Sequence, residues 1–203
     1  DTADPGTLTL RFRHDDGTIT RAYDLRARRE PGGYAQGFSS EDVIYLLMPD
    51  RFANGDPSND SIPGLMEGVD RSDPNARHGG DFAGIREHLG YIDALGMTAL
   101  WMTPIFENDM PPEYGAYHGY AATDMYRVDP RFGSNDTFRR LVESAHERDL
   151  KVIMDMIHNH IGDRHWWMDD PPTGDWVHDF DKYGTTNYEG AAVIDPYAAG
   201  HDR

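Results

Sequence analysis

The sequence predicts an α/β fold in which a parallel sheet follows a short β-hairpin, and three observations carry that expectation. Three short apolar runs, Val43 to Met48, Ala99 to Met102 and Val152 to Ile157, have the near-continuous hydrophobicity of strands buried on both faces. Two stretches between them place apolar residues at helical spacing: Phe82, Ile85, Leu89 and Ile92 in one, Phe138, Leu141, Val142 and Ala145 in the other. Strand, helix, strand, helix, strand in that order requires right-handed crossovers and a parallel sheet.

Ahead of the sheet, Thr7 to Arg13 alternates with Leu8, Leu10 and Phe12 on one face, and Ile19, Tyr23 and Leu25 share a face of the next run. The intervening His14-Asp15-Asp16-Gly17 predicts a hairpin turn at Asp16-Gly17. A hairpin alone is marginal in water, so residues 1–36 are expected to be the remnant of a β-sandwich domain, ending in a linker around Pro31, Gly32 and Gly33. Residues 37–160 hold the strand and helix units. From residue 161 to residue 203 the chain is rich in Asp, Pro, Gly and Trp and shows no further unit of that kind, as at the start of an inserted domain. Within it, core packing is the expected role of Trp166 and Trp167, with stacking on sugar as the other reading.

Composition narrows the function classes. With 38% apolar and 11% aromatic residues the chain can build a packed core. No apolar stretch approaches the roughly 18 residues of a membrane span, and Asp-Thr-Ala-Asp does not begin a signal peptide. The compartment is left open, with a periplasmic or secreted location favoured. A net charge of −17 repels phosphate backbones and anionic membranes, which argues against nucleic-acid and lipid partners. The same acidity reads either as a halophilic surface solvated at high salt or as an ordinary acidic protein with local cation sites. Without cysteine there are no disulfides, thiolate metal sites or thiol nucleophiles.

The loops after the strands are long and polar, where parallel α/β folds place their sites. Asp155-Met156-Ile157-His158-Asn159-His160 puts acid, amide and imidazole groups at the end of the third strand. On composition alone, capping by Asp155 and a hydrogen-bonded core histidine at His160 explain it as well as a site does. The string nevertheless resembles the first conserved motif of glycoside hydrolase family 13, the α-amylase family. Tyr117-His118-Gly119-Tyr120, Asp129-Pro130-Arg131-Phe132-Gly133-Ser134 and Leu95 to Ile105 resemble further blocks of that family in order and spacing. Tyr45 to Asp60 is similar to the neopullulanase and cyclomaltodextrinase branch, including enzymes of bacterial starch-utilisation systems.

The resemblance implies the N-terminal portion of a (β/α)8 TIM barrel, with about three strands and two helices present, since a whole barrel takes roughly 250 residues. It implies that Tyr120 stacks on the sugar at the cleavage subsite, that His118 and His160 hydrogen-bond its hydroxyls, and that Asp155 orders the strand end. Ala121-Ala122 departs from the tryptophan that often follows the tyrosine. The family's three catalytic carboxylates lie on strands four, five and seven, and no motif for them is present, so no catalytic residue is assigned and this chain alone is expected to be inactive. The implied parent is a retaining glycosidase acting on α-glucan, maltooligosaccharide or cyclodextrin. The alternative is a barrel relative that binds carbohydrate or a partner without turnover.

A structural calcium ion is also expected. Asn54, Asp56, Asn59 and Asp60 fall in one loop that Gly55 and Pro57 bend sharply, and hard oxygen donors are what calcium takes. By resemblance to the neopullulanase branch, Gly79 and Asp81 of Gly79-Gly80-Asp81 complete the site. The plainer alternative is that Asp81 caps the helix beginning near Phe82 and the loop is a solvated turn.

Overall fold

The computed structural model describes residues 4–27, 37–177 and 180–183. The chain divides into two compact units, Asp1–Asp42 and Val43–Arg203. The expected linker falls mostly outside the described residues, as does the part of the expected insert after Val177 apart from a short helix at Phe180–Tyr183.

In the first unit, β1 (Gly6–His14) and β2 (Gly17–Leu25) form an antiparallel hairpin. Because His14 pairs with Gly17, the turn is Asp15-Asp16, one residue earlier than expected. Leu8 lies opposite Tyr23 and Phe12 opposite Ile19, so the apolar alternation does gather on one face.

The second unit begins with β3 (Ile44–Leu47), followed by a single turn of helix, α1 (Pro49–Phe52). The first helical stretch is two helices, α2 (Phe82–Glu87) and α3 (Leu89–Ala94), because His88 leaves helical geometry at φ −105° and ψ 10°. Then come β4 (Ala99–Met102), the short antiparallel pair β5 (Phe106–Glu107) and β6 (Asp124–Val128), α4 (Asn135–His146) and β7 (Lys151–Met154). A capping box between Ser134 and Thr137 opens α4.

β3, β4 and β7 form a parallel sheet in that order, with Tyr45, Leu100 and Val152 in one row and Leu47, Met102 and Met154 in another. The face bearing Tyr45, Leu47, Leu100, Met102 and Val152 packs on Phe82, Ile85, Leu89 and Ile92 from α2 and α3 and on Leu141 and Ala145 from α4. Burying each such leucine or isoleucine contributes about 1.5–3 kcal/mol, which makes this layer the main support of the fold. On the opposite face, Ile44, Leu46 and Trp101 are exposed among the described residues. β7 stops at Met154, three residues before the apolar run ends: Ile157 leaves the sheet and joins Phe106 and Ala122 in a second small core.

Candidate functional site

The loops that leave the carboxyl ends of β4 and β7 meet at Tyr120. Its phenol donates to Asp155 Oδ2 at 2.9 Å, and the Trp101 indole Nε1 donates to the same oxygen at 3.2 Å. His160 Nε2 donates to the Tyr120 carbonyl at 2.7 Å, and Gly162 N donates to the Ala122 carbonyl at 2.8 Å. Asp155 and His160, one strand-end motif in sequence, thus hold Tyr120 by opposite ends. His118 lies beside it, ring centroids 5.7 Å apart and 36° between planes. All four expected sugar-contact residues are therefore brought together.

Local geometry fixes the rings. Gly119, between His118 and Tyr120, adopts φ 90°, and a Cβ there would overlap the Pro104 carbonyl. Only glycine lets the chain turn at this point. The Tyr120 backbone N–H donates to His118 Nδ1 at 3.0 Å, so a neutral His118 carries its proton on Nε2. Burial, reinforced by the Arg77 charge, holds His118 below its usual imidazole value and favours that neutral form. Burial and the bond to Asp155 raise the Tyr120 phenol, keeping it a donor.

Two contributors escaped the sequence. Trp101 reads as one more apolar strand residue, yet its N–H needs a partner and finds it in Asp155; that requirement was the available signal. Asn108 is 1% exposed and lies in the loop after β5, where no periodicity marks it. Its carboxamide binds the main chain of Ala116 and Ala121.

A second cluster lies in the long loop between β3 and α2. Asp81, fully buried, caps α2 through Gly84 N at 2.7 Å and also accepts from Gly55 N at 3.0 Å, Asp56 N at 2.8 Å and Asn59 Nδ2 at 3.1 Å. Asn54 Nδ2 donates to Asp60 Oδ1 at 2.5 Å, and a Cβ on Gly79 would fall on that carboxylate oxygen. Asp56 is exposed and caps the turn at Pro57–Asn59 through Ser58 N. Each of Asn54 and Asn59 donates its amide N–H to a carboxylate while its own buried Oδ1 has no partner. Two orphaned amide oxygens beside two carboxylates are a donor set that suits a hard cation. Among the described residues no group of three or more His, Cys, Asp or Glu is poised to hold a metal, so such a site leans on amide and main-chain oxygen. The loop is packed main chain against main chain: a Cβ on Gly55, Gly80 or Gly84 would run into Gly84 N, the Pro49 carbonyl or the Ala53 carbonyl.

Trp166 and Trp176 are about half exposed, while Trp167 sits between them with ring centroids 5.6 and 6.1 Å away. Trp167 is thus partly buried among aromatic rings, and Trp166, expected in the core, is not a core residue.

Comparison with known proteins gives these loops a context. Residues 46–187 match the family model described as alpha amylase, catalytic domain. Neopullulanase 2 of Thermoactinomyces vulgaris is 40% identical, over 78% of this chain and 28% of its own length. Among solved structures, an Anoxybacillus α-amylase is 48% identical with a TM-score of 0.61, covering 68% of this chain and 28% of that one. The α-amylase of Geobacillus thermoleovorans, solved with acarbose, is 44% identical with a TM-score of 0.58 and the same coverage. The chain spans less than a third of the length of each of these relatives.

Proposed function

Because the chain belongs to the alpha-amylase catalytic-domain family, we propose that the protein containing it is a retaining hydrolase of α-1,4-glucosidic bonds, of neopullulanase or cyclomaltodextrinase type. The observation that carries this is the convergence of Tyr120, His118, Asp155 and His160 at the carboxyl ends of adjacent parallel strands. The Tyr120 ring offers a face for a pyranose, and Asp155 fixes its tilt through the phenol. His118, neutral with Nε2–H outward of its bond to the Tyr120 backbone, donates to a sugar hydroxyl; His160 supplies the second imidazole. Bonds of this kind that tighten as the ring flattens toward an oxocarbenium ion lower the barrier. The nucleophile and the general acid belong to later strands of the barrel, whose interior the exposed face of Leu46 and Trp101 would line.

The full-length protein is expected to release reducing sugar from maltooligosaccharides, and the present chain alone is expected to release none, because a retaining mechanism needs two carboxyl groups about 5 Å apart. An inert full-length protein would refute the enzyme assignment. Turnover by the chain alone, abolished by a point mutation within it, would refute the second expectation.

The loop between β3 and α2 is proposed to hold a structural calcium ion. Asn54, Asn59, Asp60, Asp81 and the Gly79 carbonyl would hold it, the cation replacing the amide as the partner of the Asp60 and Asp81 carboxylates; Asp56, exposed and bonded to Ser58, is left out of the set. The ion's role is to neutralise the loop, with no part in bond cleavage. Asp60→Ala is expected to weaken calcium binding in titration calorimetry and to lower the melting temperature in calcium, while the catalytic rate survives wherever the fold does. Identical melting curves in calcium and in excess chelator would exclude the site.

A further inference from the structure

Resting on the sugar-contact reading of His118 and Tyr120, we infer that Asn108 is the positioning residue that sets the pose of both rings. Its side chain grips the two ends of the segment that carries them. Oδ1 accepts from Ala121 N at 2.8 Å, and Nδ2 donates to the Ala116 carbonyl, which also accepts from Gly119 N at 3.1 Å. Tyr117, His118, Gly119 and Tyr120 form the loop so closed.

A clamp positions only if its own base is rigid, and the base of Asn108 is held by buried, charge-assisted bonds. Its backbone N–H donates to Asp129 Oδ2 at 3.1 Å, and its carbonyl accepts from Arg77 at 3.2 Å and Arg131 at 3.0 Å. Asp129 binds the same two guanidinium groups, at 3.2 and 2.8 Å, and Glu67 holds Arg77 at 3.2 Å. All four charged residues are 3% exposed or less, so these bonds act without competition from water. Arg77 comes from the loop before α2, and Asp129 and Arg131 from the turn after β6. Two separate segments thus converge on one backbone unit, and its carboxamide transmits their placement to the sugar-facing loop. Gly119 makes the grip necessary: a glycine at φ 90° gives the right turn without holding it, because it has many other conformations open to it.

The test is a double-mutant cycle in the full-length protein with maltohexaose as substrate. Asn108→Leu keeps the size of the side chain and removes both bonds; kcat/KM is expected to fall about 100-fold. If Asn108 acts through the loop, the Asn108→Leu, Tyr120→Ala double variant loses clearly less than the product of the two single losses, the remainder being the part that Asn108 exerts through His118. In parallel, amide exchange at Ala121 and Tyr120 is expected to accelerate in Asn108→Leu while amides of Leu100 and Met102 keep their protection. Multiplying losses in the cycle, or unchanged exchange at Ala121, would overturn the assignment and leave Asn108 a core residue. Full turnover by Tyr120→Ala would instead overturn the sugar-contact reading, and this inference with it. Should the leucine variant not fold, Asn108→Asp, which retains the acceptor for Ala121 N and loses the donor to Ala116, runs through the same cycle with a smaller expected loss, about 10-fold.

Discussion

Asp129→Ala is expected to cost about 4–5 kcal/mol of unfolding free energy, enough to leave the folded state barely populated. The carboxylate is fully buried and accepts from Arg77, from Arg131 through Nε and NH2, and from the backbone N–H groups of Asn108 and Arg131. Removing it strands two guanidinium groups where water cannot reach them. Urea denaturation followed by circular dichroism reads the loss; a change below 1 kcal/mol would mean the arginines find other partners. The same carboxyl gives a pH signature. Burial alone would raise it, but Arg77 and Arg131 outweigh burial and hold it below the usual carboxylate range. A depressed folded value means that this stabilisation is complete above the unfolded carboxylate value, about 3.9, and is lost as pH falls through the folded one. Glu67 runs the other way: burial raises it against the pull of Arg77 and Arg131, so its contribution favours the fold on the acid side.

Tyr120→Ala in the full-length protein is expected to lower kcat/KM for maltooligosaccharides by about 100- to 1,000-fold, that is about 3–4 kcal/mol of transition-state stabilisation. It removes the stacking face and the partner of Asp155 together. Tyr120→Phe separates the two: the ring remains, the 2.9 Å bond to Asp155 goes, and a loss of about 10-fold is expected, since a bond to a charged group contributes about 1.5–3 kcal/mol. Steady-state kinetics on maltohexaose distinguish them. Equal losses in both variants would assign the whole effect to the phenol and none to stacking.

The strands were legible because their runs are apolar on both faces, although among the described residues one face is exposed, and Ala99–Met102 was readable to the residue. β7 was read too long because Ile157 is as apolar as its strand neighbours, although it serves a different core with Phe106 and Ala122. The break at His88 was invisible, since Ile85 and Leu89 keep the helical period on either side of it. β5 was missed because a two-residue strand carries no period, and β6 because Asp124-Met125-Tyr126-Arg127-Val128 mixes apolar and polar residues on both faces. At the site, His118, Tyr120, Asp155 and His160 were named through a family resemblance rather than through any spacing of their own. Asp129 and Arg131 were noticed only as part of a family block, and their grouping with Glu67, Arg77 and Asn108 was out of reach of sequence reasoning, because the fold alone brings those segments together.

The seam of glycines in the loop between β3 and α2 has a consequence for how such a chain changes over time. At Gly55, Gly80 and Gly84 the first carbon of any side chain would collide with main-chain atoms, which cannot rotate aside as a side chain can. Those three positions are closed to drift. The oxygen-bearing positions around them are not: Asn54, Asn59 and Asp60 could be exchanged for other residues while the loop keeps its course. Lineages descended from this sequence could therefore lose or regain the proposed cation site in a few substitutions, with the glycine framework persisting throughout.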